Sequence, residues 1–169
     1  MTADGPEKVA AIYLAAAKDQ VGDERSLKAS LEQRALLVIT TSGALVALQF
    51  AIAAVRTRVQ AFAVPGIAVT LLIASLCLFV LSAGSALAIN LPVPQLVVPP
   101  ATLEDHFAEG WNERELHRVL ISQHETEIAV LGSLRAVNRR KAALLNVALA
   151  AELLAVALIA VAVAITLTA

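Results

Sequence analysis

Histidines stand at His106, His117 and His124, 11 and 7 residues apart, a spacing that aligns three rings along one stripe of a continuous helix. Helical rise puts them about 16 Å and 10 Å apart along the axis, so one chain cannot gather them on a zinc ion whose nitrogen bonds are about 2 Å long. Solvation on a polar helix, rings formed between copies, and a charge switch near neutrality remain open to them. Glu104, Asp105, Glu109, Glu113, Glu115, Glu125 and Glu127 cluster in the same stretch with interleaved basic residues, the pattern of a solvated, ion-paired helix. Carboxylate pairs perform acid–base chemistry in a concave, partly dry pocket, and nothing in this pattern builds one. The sequence holds no glycine-rich phosphate loop, zinc-protease helix or nucleophile elbow. Cys77 is the single cysteine and sits in an apolar run, so neither an intrachain disulfide nor a cysteine-based metal site is available. No catalytic residue, metal site or cofactor is expected, and the chain does not read as an enzyme.

Two other groups are candidates for binding rather than catalysis. Arg135, Asn138, Arg139 and Lys141 form a basic run before the last apolar stretch. Such a run is a stop-transfer flank touching anionic lipid, or a rim for a phosphorylated ligand, because Arg135 and Arg139 share a helix face and two guanidinium forks can clamp one phosphate. Glu152 is the only charged residue beyond Lys141. An acidic side chain at a bilayer centre costs about 2.5–3.5 kcal/mol on insertion scales. The last apolar stretch, 142–169, is longer than the about 20 residues a crossing requires. The bilayer can therefore take 150–169 and leave Glu152 at the headgroups, or hold it as an intramembrane polar site. Trp111 reads as an anchor against headgroups or helices, and Tyr13 as a lone aromatic.

These residues must be positioned by helices in a membrane. The 169 residues are 59% hydrophobic and 16% charged, against roughly 45–50% and about 25% in soluble proteins. A net charge of -1 provides no field for nucleic acid. Three charge-poor stretches have the length of a bilayer crossing: 35–55, between Arg34 and Arg56; 66–89, entered at Pro65; and 142–169, after Arg139, Arg140 and Lys141. Their Leu, Ile, Val and Phe residues give each about 3–8 kcal/mol of insertion free energy before polar penalties. The expected fold is therefore all-α. Three transmembrane helices combine with an N-terminal amphipathic helix and a long cytoplasmic helix that runs into the third span.

The domain plan reads as a cytoplasmic segment 1–34, a first span 35–55, a short external loop 56–65, a second span 66–89, a proline-rich connector 90–102, a cytoplasmic helical stalk 103–141, and a third span 142–169. Lys and Arg number 11 in the segments 1–34 and 90–141 against 2 in the loop 56–65, which places the N-terminus in the cytoplasm and the C-terminus outside a bacterial inner membrane. No signal peptide is expected, because the mixed-charge stretch before the first span is too long for a signal n-region. Val9, Ile12, Tyr13, Ala16 and Ala17 give the first segment an apolar stripe. Gly22 and Asp23 are expected to interrupt that helix, with a restart near Ser30, which has capping-box spacing to Gln33. Pro92, Pro94, Pro99 and Pro100 predict an extended connector. The stalk presents Leu116, Leu120, Ile128, Leu131 and Leu134 on one face, and that face requires a partner, either the N-terminal helix or another copy. Small residues at four-residue spacing, Gly43, Ala47 and Ala51 in the first span and Gly84 and Ala88 in the second, are candidate helix-packing positions within or between chains.

The run Ser26-Leu27-Lys28-Ala29-Ser30-Leu31-Glu32-Gln33-Arg34, leading into Thr40-Thr41-Ser42-Gly43, resembles a group of small multi-span membrane proteins of high-GC Gram-positive bacteria. Lys28-Ala29-Ser30 before the first span, Asn90-Leu91-Pro92 after the second, and Asn138-x-x-Lys141 before the last more distantly resemble the transmembrane effectors of Pycsar and SLATT-type anti-phage systems. That resemblance implies a protein that assembles in the inner membrane and damages it on a cytosolic signal such as a cyclic pyrimidine nucleotide. It assigns no nucleotide-contacting position. The leading expectation is a non-enzymatic homo-oligomeric effector, membrane-perturbing or pore-forming, in contact with the lipid bilayer. The alternatives are an accessory or scaffold subunit that tethers a soluble protein partner, and a small channel or transporter.

Overall fold

The computed structural model describes residues 4–58, 65–94 and 116–168. Among them are three helices and no strand: α1, Asp4–Arg58; α2, Gly66–Asn90; and α3, Leu116–Thr168. Each contains a stretch long and apolar enough to cross a membrane. The all-α architecture with three membrane-length helices is thus present. The connector beyond Pro94, the start of the stalk, and with them His106, Trp111 and the cluster from Glu104 to Glu115, lie outside the described residues. Pro92 and Pro94 follow α2 in non-helical backbone, as prolines enforce.

One expectation about the N-terminal segment is overturned. α1 runs unbroken through Gly22, Asp23 and Ser30 into the first apolar stretch. A helical glycine costs only about 1 kcal/mol, and neighbouring packing offsets it. Val21 is buried on Leu131 and Leu134, and Glu24 is bonded to α3. Ser30 therefore does not start a new helix, and Ser26 Oγ donates to the Asp23 carbonyl at 2.9 Å within the continuous one. A Cβ at Gly22 would meet nothing within 4 Å. Gly22→Ala should therefore raise the thermal midpoint of the detergent-purified protein, by the equivalent of about 0.5–1 kcal/mol.

The chain divides into two compact units, Met1–Ala29 with Pro92–Arg139, and Ser30–Leu91 with Arg140–Ala169. In the first, α1 and α3 lie parallel, with Tyr13 beside His124 and Glu24 beside Arg135 and Asn138. Part of the stalk's apolar face is thus covered by the N-terminal helix of the same chain. Leu131 and Leu134 pack on Val21, while Ile128 stays exposed. In the second unit α1 and α3 are again parallel, with Glu32 beside Lys141 and Thr41 beside Glu152. There α2 runs antiparallel to both, with Ser82 near Ser42 and Ser75 near Gln49. The core of this unit joins Leu31, Ala35 and Val38 of α1, Ala86 and Ile89 of α2, and Leu145 and Ala148 of α3.

The buried positions explain the pairing. In the first unit Leu14, Ala17 and Val21 of α1 and Leu131, Leu134 and Asn138 of α3 recur at three- and four-residue steps. In the second, Leu31, Ala35, Val38 and Ser42 of α1 and Lys141, Leu145 and Ala148 of α3 do the same. Such steps keep the buried side chains of each unit on one face of its helices.

Candidate functional site

The basic run before the last apolar stretch is held by α1. Arg135 Nε lies 3.2 Å from Glu24 Oε1, and its guanidinium also donates to Gln20 Oε1 at 3.0 Å. Asn138 is buried, and its Nδ2 donates to the Glu24 carbonyl at 2.8 Å and to Glu24 Oε2 at 2.7 Å. The reversed amide would turn an oxygen toward those two acceptors, so the network fixes its orientation. In the second unit Lys141 is buried against the Glu32 carboxylate. Arg139 and Arg140 are exposed. Of the two guanidinium groups expected to clamp a phosphate, Arg135 is engaged by Glu24 and Gln20, while Arg139 Nε lies 3.5 Å from the Arg135 carbonyl. Arg135, Asn138 and Lys141 fasten α3 to α1, and this signal was missed because their acidic partners lie some 110 residues earlier in the chain.

Inside the three-helix unit the polar side chains converge. Thr41 Oγ1 lies 2.6 Å from Glu152 Oε1, and Ser42 Oγ lies 3.5 Å from both Glu152 Oε1 and Ser82 Oγ. Ser82 Oγ donates to the Ala148 carbonyl at 2.8 Å. Further along, Gln49 Nε2 donates to Ser75 Oγ at 2.6 Å, and Ser75 Oγ in turn donates to the Leu72 carbonyl. Ser42, Ser75 and Ser82 are buried, and Glu152 is half-buried.

Cross-helix register sets where this layer falls along the three-helix unit. Ala35, the first residue after Arg34, shares a core with Ile89 and Leu145. Glu152 lies seven residues beyond Leu145, about 10 Å further along the axis. Sliding the third span to 150–169 would bring Thr41 to the same border and leave only 41–55 of α1 to cross, about 22 Å of helix against a hydrocarbon core of about 30 Å.

The four-residue stripes do not pack within the chain. Gly43, Ala47, Ala51 and Gly84 are exposed, and Ala88 is half-buried. The buried small residues recur instead every seven residues, as Ala68, Ser75 and Ser82 on α2 and Ala148, Ala155 and Ala162 on α3. A period of seven keeps small side chains on a supercoiled seam, so a search at that interval would have found them. Close backbone approach is visible where the short Ser82 side chain reaches a carbonyl of α3.

No set of three or more His, Cys, Asp or Glu side chains able to hold a metal occurs among the described residues. Cys77 is exposed. No family model, curated protein or solved structure matches this chain.

Proposed function

We propose that this chain is a non-enzymatic integral protein of a bacterial inner membrane that self-assembles and disturbs the bilayer when a cytosolic signal arrives. The observation that carries this reading is the continuity of α1 and α3. Each is one helix with a charged stretch followed by an apolar stretch of membrane length. A change imposed on the charged part of such a helix would have a covalent and hydrogen-bonded route to its apolar part. The parallel pairing of α1 and α3 fits segments 1–34 and 103–141 sharing one compartment, and the distribution of Lys and Arg makes that compartment the cytoplasm. An anionic signal such as a cyclic nucleotide would act by competing with Glu24 for Arg135 and so loosening α1 from α3. The resemblance to anti-phage effectors is in keeping with this.

The test is dye release from liposomes, together with the mass of the detergent-purified complex. A single polypeptide in multiple copies is expected. Dye should be retained until a soluble trigger is added, and Glu24→Ala should leak without it. Monomers that retain dye under nucleotides and lysate fractions alike, with a silent Glu24→Ala, would overturn the reading.

The exposed apolar side chains Val9, Ile12 and Tyr13 on α1 and Ile121 and Ile128 on α3 favour a second reading. Apolar groups on the charged parts of these helices suit a contact with a soluble protein, as an accessory or scaffold subunit would make. Stoichiometric co-purification of a second polypeptide would select it.

A further inference from the structure

We infer that the polar layer of the three-helix unit is a site for one monovalent cation of sodium's size, held by Glu152 Oε1, Ser42 Oγ and Ser82 Oγ. This goes beyond the signal-driven reading and does not depend on it. The first ground is charge. Residues 35–55 of α1 and 66–90 of α2 contain no Asp, Glu, Lys, Arg or His, and Glu152 is the only such residue in 142–169. Lys141 lies eleven residues before Glu152 and is bonded to Glu32. Charges drawn into an apolar setting are paired or bind a metal ion, and these three stretches hold no cationic side chain to pair with Glu152.

The second ground is spacing. Ser42 is 1% exposed, yet its Oγ reaches Glu152 Oε1 and Ser82 Oγ only at 3.5 Å each, beyond the about 2.5–3.0 Å of an O–H···O bond. A water molecule bonded tetrahedrally to two oxygens would hold them about 4.6 Å apart. Two oxygens at right angles on one ion stand closer, about 1.4 bond lengths apart. The observed 3.5 Å therefore corresponds to bonds of about 2.5 Å, inside the range of about 2.3–2.6 Å for calcium, an ion of sodium's size. Charge selects the monovalent ion, since one carboxylate balances one positive charge, whereas calcium gathers about 6–8 oxygens and several carboxylates.

The hydrogens leave these oxygens open. Thr41 Oγ1 donates to Glu152 Oε1 at 2.6 Å, and Ser82 Oγ donates to the Ala148 carbonyl at 2.8 Å. Both serines and the carboxylate keep lone pairs for a cation. Thr41 is a positioning residue, which holds the carboxylate oxygen beside Ser42. Glu152 is half-buried, so water can complete the ion's shell.

The test is equilibrium binding of radiolabelled sodium to the full detergent-purified chain. Thermal midpoints are measured beside it in sodium, potassium or choline chloride at equal ionic strength and pH. One sodium per chain should be retained, and the midpoint should climb with the logarithm of sodium concentration but not of potassium or choline. Glu152→Gln should abolish retention. Ser42→Ala removes no hydrogen bond of ordinary length, so its midpoint in choline should match wild type while sodium affinity falls roughly tenfold or more. Thr41→Ala should weaken binding to a similar degree, and Thr41→Ser should restore it, because only the hydroxyl is required. Cys77→Ser, on the exposed side of α2, should bind like wild type. No retention by wild type, equal retention in Glu152→Gln, unchanged affinity in Ser42→Ala, or an equal midpoint rise in potassium would each overturn the assignment.

Discussion

Glu32→Ala is expected to destabilise the three-helix unit by about 3 kcal/mol, measured as loss of helix or of thermal midpoint in detergent. The Lys141 side chain is 4% exposed, and removing its carboxylate leaves an ammonium group in an apolar setting. Breaking a buried ion pair from one side costs about 3–5 kcal/mol. The lower end applies because Glu32 itself is about a third exposed and the lysine stem can extend toward water. Glu32→Leu combined with Lys141→Met should recover most of the loss, since replacing both partners removes the stranded charge. A single variant as stable as wild type would mean that the pair does not hold α3 to α1.

The second large effect is expected from Ala148→Leu. Ala148 has no exposure, shares the core with Ala35 and Ile89, and offers its carbonyl to Ser82. A leucine must push α2 away, which costs about 1–3 kcal/mol for overpacking, and loss of the Ser82 bond adds about 1 kcal/mol. Ala47→Leu, on the exposed stripe, should change the stability of the single chain by less than about 0.5 kcal/mol. The pair of variants separates contacts within the chain from contacts between copies. If the stripe Gly43, Ala47, Ala51 joins subunits, Ala47→Leu lowers the mass of the purified complex and leaves its helices intact. Equal stability losses in both variants would contradict the seven-residue seam.

That three helices would reach membrane length was legible because charge is sparse in 35–55, 66–89 and 142–169. The continuity of α1 was not legible. Gly22 and Asp23 are local helix breakers, and what overrides them is tertiary contact from Leu131, Arg135 and Asn138, more than a hundred residues away. The same distance hid the employment of the basic run, which in isolation offers two guanidinium groups to a phosphate. Glu152 was legible as an anomaly and its partner was not, because Thr41 stands more than a hundred residues earlier in the chain. The small-residue stripes show a different failure. In a chain this rich in alanine, four-residue spacings arise on every face, and only the longer interval tracks a seam that supercoils.

The steps Leu31, Ala35, Val38 and Ser42 within the three-helix unit have a bearing on how this molecule can vary in length. One extra residue between Leu31 and Thr41 would turn the following part of α1 by about 100°, parting Thr41 from Glu152. Length changes that leave the pairing intact therefore come in whole heptads, and must be matched in α1 and α3 together. Natural variants should differ by such quanta in both helices at once, like a ladder lengthened only by adding a rung to each rail.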